Sequence, residues 1–152
     1  ARIDNRLIHG QVARIWTPFL DANLILVAND KAAKDEAQQA LLQMSAGADM
    51  QTRFFTLQET IDKIHKASPK QKIFLVVEFP KDILALVEGG VPIKEVTLGN
   101  MHGAPYKKKV TDVIFVDDED VACFKKIEEL GVKVVIRRVP TDKPKEFFSC
   151  YK

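Results

Sequence analysis

Eleven consecutive residues near the start of the chain hold most of its reactive groups: Arg2-Ile3-Asp4-Asn5-Arg6-Leu7-Ile8-His9-Gly10-Gln11-Val12. Val12, Ile15, Trp16 and Phe19 then recur at i, i+3, i+4 and i+7, which predicts a helix starting near His9 or Gly10. His9 would stand at or just before that helix N-terminus, where the outward N–H groups of Gly10 and Gln11 favour an anion and disfavour an imidazolium. Arg2 and Arg6 add planar donors matched to phosphate oxygens. Asp4 is close enough in sequence to orient one imidazole nitrogen so that the other can attack. A phosphoryl group carried on histidine needs this set: a neutral ring nitrogen, N–H donors for the equatorial oxygens and a guanidinium for developing charge. A plainer account fits the same residues: a solvated charged turn followed by a helix-capping histidine.

Other chemistries lack their residues. There is no G-x-G-x-x-G, no G-x-x-x-x-G-K-[ST], no H-E-x-x-H and no G-x-S-x-G. His9, His65 and His102 are far apart in sequence, so no metal cluster has local spacing behind it. The motifs imply no cofactor and no metal. Cys123 and Cys150 form no C-x-x-C pair and read as structural. His65 reads as a surface residue on its helix.

The elements that must position the first segment are legible as alternation. Apolar, β-branched runs occupy Asn23–Ala28, Gln51–Thr56, Lys72–Glu78, Glu95–Leu98, Asp112–Val116 and Val132–Val139. Helical spacing separates most of them. Ala37, Ala40, Leu41 and Met44 read as one buried helix face, with Asn29 or Asp30 as its N-cap. Thr56-Leu57-Gln58-Glu59 has capping-box spacing and opens a Leu57/Ile61/Ile64 face. Phe79-Pro80 closes a strand and starts a helix through Ile83, Leu84 and Val87. The acids Asp117–Asp120 favour the start of a helix whose face is Val121, Phe124, Ile127 and Leu130, with Gly131 just past its end. This predicts one α/β domain over residues 1–152: an open, mostly parallel β-sheet flanked by helices on both faces. In such sheets ligands bind outside the carboxyl ends of the strands. Asn29-Asp30 and Asn100–His102 therefore join the first segment as candidate edges of a site, although capping explains Asn29 and Asp30 equally well.

The chain has 152 residues, and 23 basic side chains against 21 acidic ones leave a net charge of +2. One domain is the default for that length. The hydrophobic share of 46% argues against disorder, and the small charge argues against a dedicated nucleic-acid binder. Apolar stretches are far shorter than the ~20 residues of a membrane span, and no signal peptide is visible. Lys107-Lys108-Lys109 is a short basic run that fits a solvated loop or a contact with an acidic partner or membrane surface.

The segment Arg2–Val12 closely resembles the active-site signature of the IIB component of the mannose-family sugar phosphotransferase system, whose members serve mannose, fructose, sorbose and N-acetylgalactosamine. Val27-Ala28-Asn29-Asp30, Gly99-Asn100-Met101-His102 and Val139-Pro140-Thr141 resemble later family segments and fall in the right order. The resemblance implies a protein-N(pi)-phosphohistidine–sugar phosphotransferase on an open, largely parallel sheet. His9 would take a phosphoryl group from a IIA phosphohistidine and pass it to a sugar held by membrane IIC/IID components. Arg6 would be the loop arginine near the phosphate, and Asp4 the neighbouring acid. The protein would be cytoplasmic, held at the inner face of the membrane through its permease, with its oligomeric state open, a homo-oligomer included. Asn5 stands where many members carry an acid, and Gly103–Lys109 departs from the usual loop. Members usually begin with several apolar residues that form the first strand. Here only Ala1 precedes Arg2, so that strand is expected to be short or to start before Ala1. The Val27–Gln39 stretch leans towards an amino sugar such as N-acetylgalactosamine. The alternative is a flavodoxin-like module that binds an anion or nucleotide without covalent chemistry.

Overall fold

A computed structural model describes residues 1–10 and 12–152; Gln11, expected at the helix start, lies outside the described residues. Strand β1 (Arg2–Asp4) leads through a loop into a π-helical turn (Val12–Trp16) and α1 (Thr17–Leu20). The chain continues through β2 (Leu24–Ala28), α2 (Glu36–Ala46), β3 (Gln51–Phe55), α3 (Leu57–Lys63), β4 (Ile73–Val77), α4 (Pro80–Glu88) and β5 (Glu95–Asn100). It ends with β6 (Lys108–Lys109), β7 (Phe115–Val116), α5 (Asp118–Glu129), β8 (Lys133–Ile136), β9 (Lys145–Glu146) and α6 (Phe147–Cys150).

Seven strands form one sheet in the order β3-β2-β4-β1-β5-β8-β9. All neighbours are parallel except β8 and β9. Alternating side chains feed two cores, as a period of two requires. Ile25, Val27, Phe74 and Val76 point to one face, under Ala13, Trp16 and Leu42. Leu26, Ala28, Leu75 and Val77 point to the other, under α4, α5 and α6 through Ile83, Leu86, Phe124, Ile127 and Phe147. The expected fold class is therefore observed, with helices on both faces.

Strand β1 lies at the centre, paired with β4 on one side and β5 on the other. The connection after β1 runs towards β2, and the connection after β4 crosses to β5. The loop after β1 therefore opens where the crossovers diverge, the usual place for a site in such sheets.

Two helix starts are as the sequence predicts. Thr56 and Glu59 make a reciprocal capping box on α3, and Asp117 and Asp120 do the same on α5. Gly131, just past α5, has φ +89°, a conformation that favours glycine.

Several expectations require correction. On α2, the Ala37/Ala40/Leu41/Met44 stripe faces solvent, with Leu41 65% and Met44 77% exposed, while Leu42 is buried. The helix cap is Asp35, whose side chain accepts the Gln38 N–H. The inward face instead carries Gln39 and Gln43, whose amides donate to the carbonyls of Ala32, Gly47 and Met50. This face thus combines buried Leu42 with amides that satisfy nearby backbone carbonyls. Around α1, Ala13, Trp16 and Thr17 are buried, whereas Ile15 and Phe19 are largely exposed. The π-helical turn holds more residues per turn than an α-helix and shifts the face from the 3.6-residue expectation. Leu130 ends α5 half-exposed. Of Asp112–Val116, only Phe115–Val116 is a strand, paired antiparallel with β6 outside the main sheet. Thr111 Oγ accepts the N–H groups of Val113 and Ile114, which folds this run into a turn.

Candidate functional site

Asp4 ends β1 with its side chain fully buried. Its carboxylate accepts the Arg6 N–H at 3.0 Å, Arg6 Nε at 2.9 Å and Arg6 Nη2 at 2.9 Å, and Arg2 Nη2 lies 3.5 Å away. The Arg6 pair is bidentate, the strong form of this contact. Hydrogen bonding to Asp4 raises the Arg6 pKa; burial lowers that of Arg2, and Asp4 opposes the shift.

The backbone turns at once. The Leu7 N–H donates to the Asp4 carbonyl at 2.9 Å, and Leu7 takes φ +60°, strained for a branched side chain. Burial holds it there. Leu7 and Ile8 are 2% and 3% exposed, packed with Ala13, Trp16 and Val27. Burying such a side chain is worth ~2 kcal/mol, comparable to the strain. The next residue, His9, is exposed. Its carbonyl accepts the Ala13 N–H at 3.1 Å, so His9 stands at the entry of the helical turn, where the sequence places it. Gly10 follows with open space where a Cβ would lie.

The other flank of the loop is tied to β5. The Asn5 N–H donates to the Asn100 carbonyl at 3.1 Å, Asn100 Nδ2 donates to Asn5 Oδ1 at 2.7 Å, and His102 Nδ1 lies 3.4 Å from Asn100 Nδ2. Asn5, Asn100 and the exposed His102 therefore belong to one cluster with the Asp4/Arg6 loop. Beside it lies a cavity of about 270 Å³ whose lining includes Asn5, Glu78, Phe79, His102, Tyr106 and Lys107. Of these, Glu78 and Tyr106 carry no motif in the sequence, whereas Phe79 belongs to the Phe79-Pro80 helix start and Lys107 to the basic run. Glu78 follows directly on β4 and Tyr106 lies in the loop after β5, so only their place beyond strand ends pointed towards them.

Arg2 departs from its expected place. It is 3% exposed, with its guanidinium 5.2 Å from the Trp16 ring, and therefore is not a surface donor to an anion. An arginine on a central strand has neighbours above and beside it, which overrides the expectation that its charge reaches solvent. Asn29 is also buried; its side chain accepts the Ala32 N–H and donates to Glu78 Oε2, both at 2.8 Å. Asp30 accepts the Leu57 N–H at 2.8 Å. Both residues join β2 to its neighbours, and neither caps α2; the Asn29 side chain instead takes the first N–H of the short helical turn Ala32–Lys34, whose N-cap is Lys31.

The lysine run separates into individual contacts. Lys107 Nζ lies 3.2 Å from Asp120 and 3.9 Å from Asp117, Lys108 reaches the Lys152 carbonyl and the Tyr151 ring, and Lys109 pairs with Asp112 at 2.9 Å. Among the described residues no group of three or more His, Cys, Asp or Glu side chains is placed to hold a metal, and no helix is long and apolar enough to cross a membrane.

Comparison with known proteins places the chain in a family. The model of the PTS system sorbose subfamily IIB component matches residues 1–152. The N-acetylgalactosamine-specific phosphotransferase enzyme IIB component 2 of Escherichia coli (strain K12) is 45% identical over 149 residues, covering 98% of this chain and 95% of that protein. The PTS system mannose-specific EIIAB component of the same strain is 35% identical over 145 residues, covering 93% of this chain and 44% of that longer protein. The crystal structure of the N-acetylgalactosamine-specific IIB component 1 from Escherichia coli superposes with a TM-score of 0.92 at 44% identity, covering 95% of each chain. A match along the whole chain, on a shared fold, makes this protein a member of the sorbose-subfamily IIB components of the sugar phosphotransferase system.

Proposed function

We propose that His9 is the phosphoryl carrier of this IIB component. One neutral ring nitrogen of His9 attacks the phosphorus of a donor phosphohistidine on a IIA component. The new N–P bond forms as the donor's N–P bond breaks, and its lone pair returns to the donor imidazole. Each ring keeps its second nitrogen protonated, so no net proton moves. In the second transfer a sugar hydroxyl oxygen attacks the phosphorus: the O–P bond forms as the His9 N–P bond breaks, the electron pair of that bond returns to the His9 imidazole, and the hydroxyl proton passes to solvent water. The transferring group spreads charge over its equatorial oxygens, and Arg6 is the cation placed beside it. The observation that carries this reading is the exposed His9 following directly on buried Leu7 and Ile8, at the entry of a helical turn above the central strand.

The partners we propose are a IIA component and membrane IIC/IID components, with the chain acting at the cytoplasmic face. The mannose-specific relative, whose name joins an A to the B component, supports the first of these. An amino sugar is the proposed acceptor, supported by relatives named for N-acetylgalactosamine at 45% and 44% identity against 35% for the mannose-specific one. The test is transfer from phosphorylated IIA of an N-acetylgalactosamine system and of a mannose system. Phosphorylation of this chain on histidine is the expected result. Tight binding of nucleotides or flavin mononucleotide with no phosphorylation from either donor is the opposing one.

A further inference from the structure

We propose that Arg2 is a positioning residue for phosphoryl transfer, acting through Asp4 to fix Arg6 and to leave it net positive charge. The inference rests on His9 as the carrier and adds a residue that never touches the phosphoryl group.

Three side chains form a chain running from the core to the surface. Arg2 is 3% exposed, Asp4 is 0% exposed and the Arg6 side chain is 33% exposed. Arg2 and Arg6 both reach Asp4 Oδ2, at 3.5 Å and 2.9 Å, and Arg6 Nε takes Oδ1 at 2.9 Å. Asp4 uses the Nε/Nη2 edge of the Arg6 fork, so the opposite edge, with Nη1, is turned away from it. A planar guanidinium gripped on one edge cannot rotate without losing both bonds.

The charges make Arg2 necessary. Arg6 and Asp4 alone sum to zero and leave only the dipole of an ion pair to stabilise the charge that develops on the transferring phosphoryl group. The buried guanidinium of Arg2 restores one positive charge, and the exposed end of the chain is Arg6. A low-dielectric surround lets this charge act across the carboxylate more strongly than it would in water.

The fold spends local irregularity on holding Arg2. Pairing of β1 with β5 steps from Ile3–Leu98 to Asp4–Asn100, so Gly99 is an extra residue on β5. A Cβ on Gly99 would lie 2.2 Å from Arg2 Cζ and Nη2, so the guanidinium occupies the space that a side chain would take. The Trp16 ring lies 5.2 Å from Arg2 Cζ, and Arg2 Nη1 donates to the Arg137 carbonyl at 3.4 Å. Arg2 Nε is buried with no partner, so hydrogen bonding alone does not account for an arginine here.

The test compares Arg2→Met, Arg2→Lys and Gly99→Ala with the unmodified chain. Transfer from phosphorylated IIA gives kcat and KM, and the Arg6 Nε–H resonance in ¹⁵N NMR reports its pairing without any turnover. Arg2→Met is expected to lower kcat by ~10–100-fold with KM within about twofold, because charge is lost mainly from the transition state. It should also move the Arg6 Nε–H resonance. Arg2→Lys keeps the charge and is expected to recover kcat to within about fivefold of the unmodified chain. Gly99→Ala keeps every charge but displaces the guanidinium, and is expected to move the Arg6 resonance and lower kcat. It serves as the test if Arg2→Met does not fold. A folded Arg2→Met that transfers at the unmodified rate, an Arg2→Lys as slow as Arg2→Met, or a Gly99→Ala with an unmoved Arg6 resonance overturns the proposal. An unmodified chain that takes no phosphoryl group overturns the carrier reading instead, and the NMR arm still shows whether Arg2 sets Arg6.

Discussion

Arg6 grips Asp4 through both ends of one guanidinium edge, Nε to Oδ1 and Nη2 to Oδ2, each at 2.9 Å, with the carboxylate wholly buried and the arginine one-third exposed. The pair fixes a partly exposed cation on the loop that follows the central strand, three residues before His9. Arg6→Ala takes two charge-assisted hydrogen bonds from the buried Asp4 carboxylate but leaves it balanced by Arg2 at 3.5 Å, so the stability loss is expected to be about 2–3 kcal/mol. Phosphoryl transfer is expected to slow by ~100-fold or more, because a fixed donor to the transition state is gone. Urea unfolding and single-turnover transfer measure the two effects. An Arg6→Ala chain that unfolds outright assigns the residue to structure.

Asp4→Asn behaves differently. It leaves the buried Arg2 without its counter-charge and the loop without its anchor. Breaking a buried pair of this kind costs about 3–5 kcal/mol. A urea midpoint equal to that of the unmodified chain contradicts the packing described for Arg2.

Asp82 gives a pH signature. Its carboxyl accepts the Phe79 N–H at 3.0 Å at the start of α4, and burial pushes its pKa up to about 6. An acid whose folded pKa exceeds its unfolded value favours the folded state below the unfolded pKa and loses that contribution as pH rises through the folded one. Stability from this group therefore falls between about pH 4 and 6. Asp82→Asn can still accept the Phe79 N–H and carries no charge. It is expected to be more stable at pH 7.5 by about 1–2 kcal/mol, after allowance for solvent screening, and to show a flatter curve below pH 6. Thermal melts from pH 4 to 8 on both proteins check this, and an unchanged difference across that range contradicts it.

The reversed face of α2 is also testable. Leu41→Gln and Met44→Gln are expected to change stability by no more than about 0.5 kcal/mol, whereas Leu42→Ala costs about 2–4 kcal/mol. Equal costs at Leu41 and Leu42 would restore the face that the spacing suggests.

How much of this was legible beforehand depends on the physics at each residue. The β2 and β4 runs, the Thr56 and Asp117 caps and Gly131 follow from local rules, and all are present. The α2 face departs from the expectation because Ala37, Ala40, Leu41 and Met44 satisfy helical periodicity, while the other side carries Leu42 and glutamines that bond backbone carbonyls, which periodicity does not count. The π-helical turn displaced the α1 face for a similar reason: a fixed 3.6-residue period has no room for it. In the site, the density of charge in Arg2–Val12 marked the loop, and spacing put His9 at the helix entry. The inward turn of Arg2 was not legible. It depends on Gly99 and Trp16, which lie 97 and 14 residues away in the chain and meet it only through sheet pairing and a crossover.

The most direct measurement of the central claim is the site of phosphorylation. The chain is incubated with phosphorylated IIA, and the acid-labile phosphate is located on the unmodified protein and on His9→Ala, His65→Ala and His102→Ala. The account predicts label on the unmodified chain and on the His65 and His102 variants, and none on His9→Ala. Label that persists in His9→Ala, or that disappears only when His65 or His102 is replaced, would contradict it.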